Sequence, residues 1–175
     1  VYGAEADDII AALCLELEFD NGKTLILSGD KDFVQLQKYT NVSQYSPITK
    51  KFVEGVDPNE YLCEHILKGD VSDGIPNVLS PDNTFVDGLR QRPLSKKKLA
   101  DILEDLNEGE LLYAASWYRN YQRNQKLIDL KESPKELFLE CLESYHKAPE
   151  GDRSKLLNYF IDNNLKELMD NIGDF

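Results

Sequence analysis

Residues 24–33 read Thr24-Leu25-Ile26-Leu27-Ser28-Gly29-Asp30-Lys31-Asp32-Phe33. A short unbroken apolar run closed by a glycine has the pattern of a strand covered on both faces. Over residues 24–28 it predicts a buried parallel strand. Ligands of open α/β sheets gather beyond the carboxyl ends of their strands, so Asp30 and Asp32 stand where a site would form. Working outward, residues 4–18 carry Ile9, Ile10, Leu13 and Leu17 at helical spacing. Residues 33–37 read as a short helix after the acidic loop. Residues 41–45 and 50–53 read as two further strands, separated by Ser46-Pro47. The front part, 1–56, is therefore expected to be α/β.

After residue 56 the pattern changes. Asp57-Pro58 is an N-cap followed by proline at the first helical position, and the helix it starts should run to Lys68, where Gly69 stops it. Residues 71–93 are rich in Gly, Pro, Asn and Asp and read as loop and turns. Ser95 caps a helix over 96–105. Residues 110–130 read as a longer helix carrying Leu112, Ala115, Trp117 and Tyr121. Ser133-Pro134-Lys135-Glu136 has the form of a capping box. Two more helices are expected near 152–162 and 165–169. Residues 57–175 thus form an all-helical region in this reading.

Bulk composition sets limits. The 175 residues carry 41% hydrophobic and 30% charged side chains, ordinary values for a globular protein with a real core. A net charge of -12 argues against DNA binding by the whole surface, while leaving room for a local basic path. No apolar run approaches a membrane span and no signal peptide is visible, so a cytoplasmic setting is expected. Cys14, Cys63 and Cys141 are odd in number and widely spaced, as buried free thiols would be. The two histidines, His65 and His146, do not pair with them at zinc-finger spacing.

Acids recur at element ends. Glu5, Asp7 and Asp8 open the first helix; Asp30 and Asp32 follow the strand; Asp70 and Asp73 follow the helix that Gly69 ends. Acids in a first helical turn are favoured by the helix dipole, but three within four positions repel one another. Acids past a helix C-terminus oppose that dipole. Seven carboxylates converging on one point need cations between them, and hard divalent ions take such oxygen ligands. Two-metal sites of this kind hydrolyse phosphodiesters.

Arg90, Arg92, Lys96, Lys97 and Lys98 are the densest basic stretch. Lysines at a helix start oppose the dipole unless that end faces phosphate, so contact with a duplex backbone is one reading and a solvated face the other. Arg119, Arg123 and Lys126 are expected to solvate a helix face. Trp117 and Tyr113, at i,i+4 spacing, read as core rather than as a base-stacking surface.

The order Glu5-Ala6-Asp7-Asp8, then a strand with Ser28-Gly29-Asp30-Lys31-Asp32-Phe33, then Leu67-Lys68-Gly69-Asp70 and Asp73-Gly74-Ile75-Pro76, resembles the flap endonuclease / 5′-3′ exonuclease superfamily. The branch it most resembles is the ribonuclease H of T-even-type tailed phages, and the likeness runs on through Gln44-Tyr45-Ser46-Pro47, Tyr118-Arg119-Asn120-Tyr121 and Asn171-Ile172-Gly173-Asp174-Phe175. The resemblance implies a partial PIN-like parallel sheet, then helices with a helix-turn-helix-type duplex-binding element. It implies a metal-dependent 5′-nuclease that removes RNA primers and 5′ flaps during phage DNA replication, in the host cytoplasm. Glu5, Asp7, Asp8, Asp30, Asp32, Asp70 and Asp73 would be the metal-site acids, with Asp7, Asp30 and Asp32 at the catalytic centre. The cofactor would be two Mg²⁺ ions, or Mn²⁺. Implied partners are duplex DNA and RNA–DNA hybrid with 5′ ends, and a single-strand DNA-binding protein.

Two features of that superfamily lack a counterpart here: an N-terminal strand with a further acid and basic arch, and a Gly-x-Gly hairpin, absent from residues 76–92. The chain is accordingly expected to be the C-terminal part of a longer protein. Two alternatives remain. One is a non-catalytic fragment that binds DNA or a replication partner. The other is a haloacid-dehalogenase-type phosphatase, whose second acidic motif is one residue longer and follows a strand.

Overall fold

The computed structural model describes residues 1–19, 22–108, 115–148 and 153–174. The chain divides into two compact units, Val1–Leu142 and Glu143–Phe175.

The first unit opens with helix α1, Ala6–Phe19. The Asp8 carboxylate accepts a hydrogen bond from the Glu5 backbone N–H at 3.0 Å, so an acid of the first motif closes the helix start. Strands β1 (Thr24–Leu27), β2 (Val42–Ser46) and β3 (Lys51–Phe52) form one sheet in that order. β1 and β2 are parallel, with Thr24 opposite Val42. β2 and β3 are antiparallel, with Tyr45 opposite Phe52. The sheet is therefore mixed, where a parallel one was expected, because the 47–50 turn folds β3 straight back. A 3₁₀ helix, Asp32–Lys38, lies on the crossover from β1 to β2.

The strand reading of residues 24–28 holds, but its burial does not. Ile26 is buried, whereas Leu25 is 52% and Leu27 66% exposed. β1 is an edge strand, and α1 with the 3₁₀ helix covers only its Ile26 face, through Cys14, Phe33 and Leu36, with Val42 of β2 in the same cluster.

Helix α2, Pro58–Lys68, has the predicted bounds. The Asp57 carboxylate accepts from the backbone N–H of Asn59 at 3.0 Å and of Glu60 at 2.8 Å. Helix α3, Lys96–Glu108, begins after Ser95, whose hydroxyl accepts from the Lys98 N–H at 3.2 Å. Helix α4 is Tyr118–Ile128. Residues 115–117 form a turn ahead of it rather than helix, and Leu112 and Tyr113 lie outside the described residues. A 3₁₀ turn, Leu130–Glu132, leads to helix α5, Lys135–His146. The first α5 bond runs from Phe138 N–H to the Pro134 carbonyl at 3.0 Å, one residue later than a Ser133 cap would give.

Two asparagines on successive turns of α4 hold the 76–80 segment. Asn124, fully buried, donates to the carbonyls of Ile66 at 2.8 Å and Pro76 at 2.9 Å. Asn120 donates to those of Val78 at 2.9 Å and Ser80 at 3.0 Å. Beneath them Leu67, Val78, Ile102 and Trp117 form a core, so Trp117 packs as expected. Arg123 does not simply solvate the helix: it donates to the Pro76 carbonyl at 2.9 Å and pairs with Asp82. The three cysteines are free, and burial pushes the Cys14 thiol up to about 11.

In the second unit a 3₁₀ turn, Arg153–Lys155, leads into α6, Leu156–Asp162, with α7, Lys166–Asp170, after it. Phe160 is its buried anchor. No helix among the described residues is long and apolar enough to cross a membrane.

Candidate functional site

β2 fixes the loop that carries the first two acids. Gln44 is 1% exposed, and its amide donates to the carbonyls of Ser28 at 2.9 Å and Asp30 at 2.5 Å. The Ser28 hydroxyl accepts from Asp30 N–H, and Asp30 Oδ1 accepts from Asp32 N–H, both at 3.1 Å. Asp32 then starts the 3₁₀ helix and is half-buried.

The second pair depends on Gly69. It has φ 68° and ψ -178°, a region essentially reserved for glycine. A Cβ there would overlap the Ile75 carbonyl oxygen and lie 2.7 Å from that of Pro76. The chain reverses at once: Ile75 N–H donates to the Asp70 carbonyl at 2.6 Å across an antiparallel bridge. Asp70 and Asp73 ride on the loop between. Ser72 N–H donates to Asp70 Oδ1 at 2.8 Å, and the Ser72 hydroxyl bonds the same oxygen. Hydrogen bonds from Ser72, with a further one from His65, hold the Asp70 carboxyl below its ordinary value.

These segments meet at one open pocket of about 490 Å³, lined by Asp30, Asp32, Asp70 and Asp73 with Tyr61, His65 and Ser72. Asp7 lies in the same field. Burial raises its carboxyl, and Asp30, Glu5, Asp8 and Asp73 raise it further. Asp32 is raised chiefly by burial; His65 opposes this, while Asp30, Asp70 and Asp73 add to it. α1, the β1 loop and the loop after α2 thus bring five of the seven acids to one place. Glu5 is exposed beside them. Asp8 points elsewhere, taking the Ser133 hydroxyl at 2.6 Å as well as the Glu5 N–H.

Arg90, Arg92, Lys96, Lys97 and Lys98 are exposed along the approach to α3 and its first turn, and none lines the acid pocket. A larger open hollow, about 860 Å³, lies beside Arg92 and Arg119, over residues 78–83.

The sequence reading missed His65. It lies on α2 between two acids, with Nε2 at 3.1 Å from Asp70 Oδ2 and Nδ1 at 3.5 Å from Asp32 Oδ1. Tyr61, one turn earlier, meets its ring edge-on at 5.7 Å. The one signal in the sequence was its place four residues before the Gly69 cap, on the turn that must face whatever Asp70 faces.

Four carboxylates against one exposed lysine, Lys31, line the pocket, and the buried Nδ1 of His65 has no hydrogen-bond partner. An oxygen-rich donor set with an orphaned imidazole nitrogen fits divalent metal ions. Asp32, His65 and Asp70 present ligand atoms all within 4.8 Å of one another.

Residues 58–175 match the family described as T4 RNase H, C terminal. The chain belongs to this family. Its resemblance extends to a ribonuclease H of Enterobacteria phage T4, 34% identical over 176 residues, covering 98% of this chain and 58% of that protein. A 5′-3′ exonuclease of Buchnera aphidicola (subsp. Schizaphis graminum) is 32% identical over 148 residues, 79% of this chain and 48% of that protein. A flap endonuclease Xni of Shewanella woodyi is 34% identical over 83 residues, 43% of this chain and 32% of that protein. The chain therefore spans about half the length, or less, of these curated relatives. All three carry the names of nucleases, as the acidic motifs led one to expect.

Proposed function

We propose that this chain carries the acid centre of a metal-dependent 5′-nuclease acting on duplex DNA and RNA–DNA hybrid with 5′ ends or flaps. Removal of RNA primers and flaps during phage DNA replication, in the host cytoplasm, is the corresponding role. The observation that carries this reading is the convergence of Asp7, Asp30, Asp32, Asp70 and Asp73 from three separate segments. Such a cluster is electrostatically costly by itself, as the raised carboxyls of Asp7 and Asp32 indicate.

Asp7, Asp30, Asp32, Asp70 and Asp73 would hold two Mg²⁺ ions, or Mn²⁺, with Glu5 and Asp8 at the margin. Ions bound there supply in-line activation of water and stabilisation of the leaving 3′ oxygen. The protein's own part is positional. Gln44 fixes the Asp30 loop, Gly69 and Ser72 fix Asp70, and Asp8 with Ser133 fixes the end of α1 from which Asp7 projects.

Arg90, Arg92, Lys96, Lys97 and Lys98 form the proposed duplex contact. α3 and the turns before it would serve as a helix-turn-helix-type element that reads backbone and not sequence. Contact with a single-strand DNA-binding protein rests on the family resemblance alone. The division of labour is nuclease chemistry in 1–56 with the 70–73 loop, and duplex binding within 57–175.

The test is cleavage of 5′-flap and RNA–DNA hybrid substrates in Mg²⁺, by the chain alone and joined to the portion of T4 RNase H that it does not span. Asp30→Asn and Asp73→Asn should abolish turnover in the joined form while duplex binding persists. Near-normal turnover by either would sink the assignment. One observation favours a binding-only role for the chain by itself: Leu25 and Leu27 are exposed on the strand that leads to Asp30. Little or no cleavage by the chain alone is therefore expected.

A further inference from the structure

A cavity of about 290 Å³ in the first unit shares no lining residue with the acid pocket. Its floor is Ala11 of α1 and Leu36 of the 3₁₀ helix, 8% and 2% exposed. Its walls are Leu15, Tyr39, Leu130 and Phe138, all part-buried. The remaining lining side chains are Lys38, Lys131, Ser133 and Lys135, and no acid is among them. In a chain with 32 acidic residues against 20 basic ones, an apolar hollow rimmed by lysines alone runs against the composition. Lys38 is the inner one, 3.9 Å from Asp129. Lys131 and Lys135 are exposed, and neither makes an ion pair among the described residues. The Ser133 hydroxyl is already engaged with Asp8 and the Leu130 carbonyl.

We infer that this pocket docks an acidic peptide segment of a partner protein: one leucine-sized side chain enters it, and carboxylates flanking that residue meet Lys131 and Lys135. Size and charge both point this way. Small-molecule sites run from about 300 to 1,000 Å³ and enclose most of their ligand. This hollow is smaller and open, so it takes one side chain and leaves the attached backbone outside. The lysine stems extend the apolar wall while their ammonium groups stay in water, where a flanking carboxylate reaches them. Nucleic acid fits less well, because bases are gripped by aromatic platforms along a basic groove, and Leu15, Leu36 and Leu130 make this hollow largely aliphatic. A second copy of the chain fits less well too, since two bodies of net charge -12 repel. Nothing here requires a metal ion or a nuclease substrate, so this inference and the nuclease reading stand or fall separately.

The probe is a short fluorescent synthetic peptide with one leucine among glutamates, titrated into the 175-residue chain. It should bind, and more weakly as salt rises through about 0.1 M, where charges are screened beyond about 10 Å. Alanine in place of its leucine should weaken binding about tenfold or more. Lys131→Ala with Lys135→Ala should weaken it about 2–30-fold, the sum of two exposed ion pairs, and Lys166→Ala should not. In the unaltered chain, nuclear magnetic resonance should show amide shifts gathered on residues 11–15, 36–39 and 130–138. That map needs no variant, so a substitution that unfolds the chain does not spare the proposal. Absence of binding at low salt would overturn it, as would indifference to the leucine or to the two lysines. Amide shifts centred elsewhere would overturn it as well. So would a single-stranded oligonucleotide that takes the same residues more tightly, or self-association of the chain that shifts those same amides. Binding that disappears once the chain is joined to the portion of T4 RNase H that it does not span would also overturn it, by making the hollow an internal seam.

Discussion

Gln35 and Ile128, 93 residues apart, are joined by a hydrogen bond from the Gln35 amide to the Ile128 carbonyl at 3.0 Å. Leu130 N–H returns a bond to the same side chain, also at 3.0 Å. Gln35 is 1% exposed and lies on the 3₁₀ helix that Asp32 begins. One buried amide therefore couples the acid-bearing segment to the end of α4. Truncation leaves a carbonyl and an N–H without partners, each costing about 1–3 kcal/mol.

Gln35→Ala should accordingly destabilise the chain by about 2–4 kcal/mol. Divalent-ion affinity should fall with it, because Asp32 loses its anchor. Urea denaturation and calorimetry measure the two effects. A stability change under about 0.5 kcal/mol, the ordinary range for a surface substitution, would show that the amide is not holding the segment.

Gly69→Ala is expected to be worse. Its backbone conformation excludes a side chain, and the added methyl would meet the Ile75–Pro76 backbone. A loss of about 3 kcal/mol or more should follow, with the Asp70–Asp73 loop displaced. Thermal melts check the first expectation and ion binding the second.

How far this was legible from sequence depended on how local the cause was. Asp57, Pro58 and Gly69 bound α2 through contacts within a few residues, and their spacing alone gave both helix ends. β1 was legible as a strand but not in its burial: which face of Leu25-Ile26-Leu27 is covered depends on α1 and the 3₁₀ helix, not on the run itself. Ser133 has the residue pattern of a helix cap, yet its hydroxyl bonds Asp8, 125 residues away. Arg123 was read as solvated because nothing nearby in sequence announces Asp82 or the Pro76 carbonyl. The acids were legible as a group, since charge repulsion makes their number anomalous. His65 was not: a lone histidine on a helix face carries no such anomaly.

The basic stretch offers a test by salt. Replacing Lys96, Lys97 and Lys98 together by Ala should weaken duplex binding equally across sequences. The slope of log affinity against log salt should flatten by about 0.9 for each phosphate that is no longer neutralised. An unchanged slope would leave these lysines as a solvated face.

Asp7 gives a pH dependence with a definite sign. Its folded carboxyl lies above the ordinary 3.8 through burial and four neighbouring acids. As pH rises past 3.8 the unfolded chain releases this proton first, so folded stability falls until the folded carboxyl also ionises, and stays lower above that point. In a chelator-containing buffer Asp7→Asn should therefore melt higher than the unaltered chain at about pH 7, the difference closing as pH drops below 3.8. Saturating Mg²⁺ should reverse the order at about that same neutral pH if the acid cluster is the proposed metal site, because an ion held there would bind only the folded chain. Equal melting temperatures at neutral pH without divalent ions would show that Asp7 feels no such repulsion.

The long reach of Gln35 also sets a timetable for the nascent chain. A ribosome adds about 5–20 residues per second, so roughly 5–20 s separate the synthesis of Gln35 from that of Ile128. During that interval Asp70 and Asp73 join Asp7, Asp30 and Asp32, which are already made, yet the amide beneath Asp32 has no carbonyl to bind and α4 does not exist to hold the 76–80 segment. The acid-bearing half must wait for a helix encoded nearly a hundred codons later. Synonymous changes that slow translation between those codons would lengthen the wait without altering a single residue of the finished protein.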